Sequence, residues 1–178
     1  MKQATKMLKR QAVGCIAAML ALSMMPRAAL ADEELNAEFR VKAGLGEIQR
    51  VRELLKQGVD VNCRAPSTGS VPAGTTALML AAARDHLDVV KLLVANGANV
   101  NQADEGGGTA LIYAVWKGYK DIVAHLLEKG ANVHAKTRDG RTPLSVASQF
   151  GRTEIESMLK AAADKKQPAA AGNDRSTK

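Results

Sequence analysis

Thr76-Ala77-Leu78, Thr109-Ala110-Leu111 and Thr142-Pro143-Leu144 follow one another at a constant step of 33 residues. A second landmark keeps that step: Gly97-Ala98-Asn99-Val100-Asn101 returns as Gly130-Ala131-Asn132-Val133-His134. A fixed period of this size marks a stacked solenoid, because a unit so short cannot bury its apolar face alone and must close it against its neighbours. Each Thr precedes an apolar run and is placed to cap the first helix of its unit. Leu78, Ala81 and Ala82 fall at helical spacing, and small Ala side chains let adjacent helices approach closely. Gly97 and Gly130 stand where a helix must stop, since Gly takes the left-handed cap conformation without steric cost. Asp85 occupies a turn position, and Asp is among the few other residues that tolerate that region.

Phe39 to Asn62 is a weaker copy offset by 39 residues, with Gly58 answering Gly97 and Asn62 answering Asn101. The six surplus residues fall in 65–74, a Pro, Ser and Gly-rich stretch that reads as an enlarged loop. The expectation is an all-α solenoid of four helix-turn-helix units, about 35–64, 74–103, 107–136 and 140–163, joined by β-turn or hairpin loops. Arg50 and Glu53 replace Val89 and Leu92 in the first unit, and Glu156 and Lys160 replace Val123 and Leu127 in the fourth. Terminal units of a solenoid need such a polar outer side, so the stack is expected to be finished at both ends.

These motifs resemble the ankyrin repeat family over roughly residues 35–163. Thr142-Pro143-Leu144 matches the family's T-P-L-H opening with Ser145 at the His position, and Ala81-Ala82-Ala83-Arg84-Asp85-His86 matches its A-A-x-x-G-H turn with Asp85 for Gly. Val89-Val90-Lys91-Leu92-Leu93-Val94, followed by Asn96 to Asn101, matches the second helix and its loop. The resemblance implies a protein-binding module that uses its loop tips and the exposed ends of its first helices. By the period these positions include Arg84, Trp116, Lys117, Gln149 and Phe150 on helices, and Arg138 and Arg141 on loops. Trp116 is the one Trp of the chain and Phe150 one of two Phe, so both at such positions mark a candidate hot spot.

Residues 1–31 hold five basic residues and no acid, with an apolar run from Ala12 to Met25 and the small-x-small pattern Ala29-Leu30-Ala31 before Asp32-Glu33-Glu34. That pattern predicts a cleavable secretory leader, too short in its apolar run to span a bilayer. The chain carries 25 Lys and Arg against 18 Asp and Glu, net +7; without the leader the balance is 20 against 18. A nucleic-acid or anionic-membrane partner thereby loses its electrostatic basis. Cys63 is the sole cysteine outside the leader, expected to be partly exposed at the entry to the enlarged loop. Residues 164–178, in which Asp164-Lys165-Lys166-Gln167-Pro168 and the Ala, Gly, Ser and Thr-rich remainder lack any apolar pattern, read as a disordered tail.

No constellation for chemistry is present in the sequence. Gly106-Gly107-Gly108 reads as a turn with positive φ, not a phosphate loop. There is no C-x-x-C, H-E-x-x-H or G-x-S-x-G. His86 reads as a structural turn residue, His125 as a helix-surface residue and His134 as a turn residue. The expectation is a non-catalytic, monomeric protein without cofactor or metal, periplasmic, acting on another exported protein as adaptor, accessory or inhibitor. Resemblance to exported bacterial ankyrin proteins implies two forms, an accessory factor for a catalase or an immunity protein against a toxin. The alternative is a secreted effector that binds host proteins.

Overall fold

The computed structural model describes residues 27–67 and 71–166. Among them are eight helices: α1 (Arg27–Leu45), α2 (Ile48–Lys56), α3 (Ala77–Ala82), α4 (Leu87–Ala95), α5 (Ala110–Lys117), α6 (Lys120–Glu128), α7 (Pro143–Gln149) and α8 (Thr153–Lys166). They form four pairs in two layers. The first helices α1, α3, α5 and α7 stack on one another, and the second helices α2, α4, α6 and α8 stack alongside. The described residues contain no strand, only an isolated bridge between Ala103 and Thr109.

The repeated Thr explains where the first helices begin. The side-chain oxygens of Thr76, Thr109 and Thr142 accept the amides of Met79, Ile112 and Ser145, each three residues on. In the fourth unit Ser145 reciprocates, its Oγ accepting the Thr142 amide at 2.9 Å. The first helices can be as short as six residues because Ala81, Ala82, Ala114 and Ala147 are fully buried and let neighbouring backbones meet. Leu93, Ile122 and Leu126 of the second helices are fully buried in the core they share with the first helices. Asp85 takes φ +65°, at the position that Gly118 and Gly151 fill one and two units later.

Neighbouring units are also tied through their loops. Asn62 accepts the Asn99 amide at 2.8 Å and donates to the Gly97 carbonyl at 3.3 Å. Asn101 repeats the pattern with Asn132 at 2.7 Å and Gly130 at 3.3 Å. The enlarged loop is closed at its base by Ala65 and Thr75, whose amide and carbonyl meet at 2.8 Å. The loop tips then bond in series, Glu105 amide to Ala73 carbonyl at 2.8 Å and Arg138 amide to Gly106 carbonyl at 2.7 Å.

Four sequence expectations need adjustment. Cys63 is buried, not partly exposed: the turn closed by its amide on the Asp60 carbonyl drops the side chain beneath α1, where Sγ faces the Asn36 carbonyl at 3.8 Å beside buried Arg40. Burial pushes the thiol above its usual pKa, against the pull of Arg40. Of the three consecutive glycines only Gly107 has positive φ, +78°. Helix α8 runs on to Lys166, past the boundary expected at Ala163, while 167–178 lie outside the described residues. The polar outer sides do form ion pairs, Arg50 with Glu38 and Glu53, and Glu156 with Lys160. On the inner layer, however, Leu144 is 36 % exposed, because no first helix follows α7 among the described residues. The leader's apolar run lies outside the described residues, and α1 passes through the expected cleavage point after Ala31.

Candidate functional site

A groove of about 780 Å³ opens between the C-terminal ends of α5 and α7 and the loops that precede them. Its floor is apolar, built from Ile112, Tyr113 and Trp116 of α5, Val146 of α7 and Phe150 just past its end. Its rim is the 137–141 turn, with Pro72 of the enlarged loop on the other side. Trp116 is 44 % exposed and Phe150 41 % exposed, unlike the apolar positions that face neighbouring helices.

The loop side of the groove is held rigidly. Asp104 is buried, its Oδ1 accepting the Gly108 amide at 2.8 Å and its Oδ2 accepting the Tyr113 hydroxyl at 2.5 Å. Burial and the Asp104 carboxylate push the Tyr113 hydroxyl above its usual pKa, so it stays a donor. Gly107 is required where it stands, since a Cβ there would lie 2.7 Å from the Lys136 carbonyl oxygen of the next loop. That loop is itself a closed turn: the Thr137 amide donates to the Arg141 carbonyl at 2.9 Å, and the Arg141 amide to Thr137 Oγ1 at 3.0 Å. Arg141 pairs with Asp139, and that guanidinium together with the Thr137 hydroxyl holds the Asp139 carboxyl below its usual range.

The seven residues expected from sequence divide by position. Trp116, Phe150, Arg138 and Arg141 line the one groove. Lys117 lies beside it, with Nζ 4.3 Å from the centre of the Trp116 ring, a cation–π contact. Arg84 is exposed one unit away, its guanidinium lying over Gly44 of α1. Gln149 is exposed and does not line the groove. Asp104 and Tyr113 were not singled out in the sequence, although Tyr113 stands 33 residues before the groove residue Val146. His86 Nε2 lies 3.1 Å from the Gly44 carbonyl and ties α1 to the second unit.

Among the described residues there is no group of three or more His, Cys, Asp or Glu arranged to hold a metal, and no helix long and apolar enough to cross a membrane. A family model described as ankyrin repeats in three copies matches residues 41–137, just over half of the chain. No curated protein matches it.

Proposed function

The chain belongs to the ankyrin repeat family, whose repeats mediate binding to other proteins, and on that premise we propose that it is a non-catalytic adaptor, accessory or inhibitor protein of the periplasm. The observation that carries this reading is the groove in which Trp116 and Phe150, from adjacent units, stand exposed over an apolar floor with arginines on the rim. Exposed aromatics clustered with Arg are the composition of interface anchors. Export is supported by the basic, then apolar, then small-residue pattern of residues 1–31. A catalase is the first partner to assay, on family resemblance alone.

The test is affinity capture from a periplasmic extract with the processed chain and with its Trp116→Ala variant, followed by titration of the captured partner. Wild type should retain a partner that the variant binds at least about 30-fold more weakly, the equivalent of about 2 kcal/mol. The variant should keep its helical circular dichroism, because Trp116 is 44 % exposed and is not among the fully buried side chains of the core. Equal affinity for both proteins overturns the assignment of the groove. Recovery of the intact leader on cytosolic protein overturns the assignment of the compartment.

A further inference from the structure

Five large hydrophobic side chains stand exposed among the described residues, and four of them, Val41, Leu45, Trp116 and Phe150, share one face of the stack. The repeat register shows why. Val41, Leu80, Tyr113 and Val146 occupy one equivalent position of the four first helices, and Leu45, Arg84, Lys117 and Phe150 another, at or just past the helix ends. Tyr113, Val146 and Phe150 line the groove, and beyond it the same register places the apolar side chains Val41 and Leu45 on α1 and Leu80 on α3. An apolar strip therefore runs from α7 to α1. Four helices about 10 Å apart give it a length of roughly 30 Å, the reach of about nine residues of extended chain.

Unpaired charge along this strip is mainly basic. Arg84 and Arg138 are exposed, and neither has an ion-pair partner among the described residues. Lys117 rests on the Trp116 ring and has no ion-pair partner among the described residues. The nearby acids are already engaged, Asp104 by Gly108 and Tyr113 and Asp139 by Arg141. Glu105 at a loop tip and Asp85 next to Arg84 are the exposed acids there without an ion pair among the described residues. Uncommitted guanidinium groups over an apolar floor call for carboxylates among apolar side chains.

Resting on the reading of this face as a protein-binding groove, we infer that its occupant is an acidic-apolar peptide segment, its apolar side chains seated along Val41, Leu80, Trp116 and Phe150 and its carboxylates on Arg84 and Arg138. The chain's own remaining segments do not meet that description. The apolar run Ala12–Met25 is preceded by Lys2, Lys6, Lys9 and Arg10, and 167–178 contains no apolar side chain larger than Pro.

The test uses the processed chain and three labelled nine-residue peptides, read by fluorescence anisotropy. One alternates leucine with glutamate, the second has lysine for glutamate, and the third has serine for leucine. The first should bind at least ten-fold more tightly than either other, and its affinity should fall as salt is raised. The double variant Arg84→Glu, Arg138→Glu should reverse the preference in favour of the lysine peptide, and circular dichroism should show an unchanged fold. Equal binding of the glutamate and lysine peptides, lost in Trp116→Ala, overturns the acidic occupant and leaves the groove standing. Binding indifferent to Trp116→Ala overturns the groove as well. Self-association of the chain through this face, detected by light scattering and abolished by Trp116→Ala, assigns the strip to a second copy and overturns the inference.

Discussion

Asn62 and Asn101 each reach from one loop into the next, and the third member of that register position is His134. His134 is exposed and bridges to no further loop among the described residues; its amide donates to Asn132 Oδ1 at 3.0 Å, within its own turn. The residue that departs from the period therefore stands where the bridging task ends. Asn101→Ala should destabilise the fold by about 1 kcal/mol, the value of a typical hydrogen bond. His134→Ala should move it by less than about 0.5 kcal/mol. Equilibrium urea unfolding of the two variants measures the contrast. His125 on α6 behaves differently from an exposed histidine, because its Nε2 is shielded from solvent without a hydrogen-bond partner among the described residues. Burial, with Lys129 and Lys91 nearby, lowers its pKa from the ordinary value. The folded state thus prefers the neutral ring, and the unfolded state binds the proton more readily. Its contribution is fully present above about pH 6.5, the unfolded value, and is lost as pH falls below that. Urea midpoints should decline between pH 7 and 5, and His125→Gln should flatten that slope.

At the scale of elements, the loop before α5 and the helix itself are joined by the Tyr113 hydroxyl on Asp104. Tyr113→Phe removes the donor to Oδ2 of a buried carboxylate while keeping the ring in the groove. The expected loss is about 1.5–3 kcal/mol, the range for a hydrogen bond to a charged group, read as a lower urea midpoint. The helices and their starts were legible in sequence, because Thr caps and a fixed period express local rules that repeat. Exposure of Trp116 and Phe150 followed from the same register. The Asp104–Tyr113 contact was not legible, since it links a loop to a helix at a spacing without periodic signature. Cys63 was misread for a related reason: its direction depends on a non-helical turn and on what α1 places above it. Val41 and Leu45 escaped notice because the first unit matches weakly and at an offset of 39, so the strip was seen only where the copies are clearest.

Across the whole molecule, burial at a repeated position is conferred by the neighbouring unit. Phe39, Leu78, Leu111 and Leu144 are the four copies of one site; the first three are 0 %, 1 % and 0 % exposed, and the last is 36 % exposed. Each of the first three is covered by the first helix of the next unit, α3, α5 or α7, and α7 has no such cover among the described residues. The same chemical change should therefore have a graded effect along the stack. Leu111→Ala opens a cavity between α5 and α7 and should cost about 2–5 kcal/mol, the usual range for a buried leucine. Leu144→Ala removes a side chain that already meets solvent and should cost less than about 1 kcal/mol. Because stability in a solenoid is close to a sum of unit and interface contributions, the two losses should also differ in where they appear. Native-state hydrogen exchange should show Leu144→Ala lowering protection mainly in α7 and α8, and Leu111→Ala lowering it on both sides of the α5–α7 interface. Equal costs at the two positions would mean that burial at this site is not set by stacking, and that the chain folds as one indivisible core.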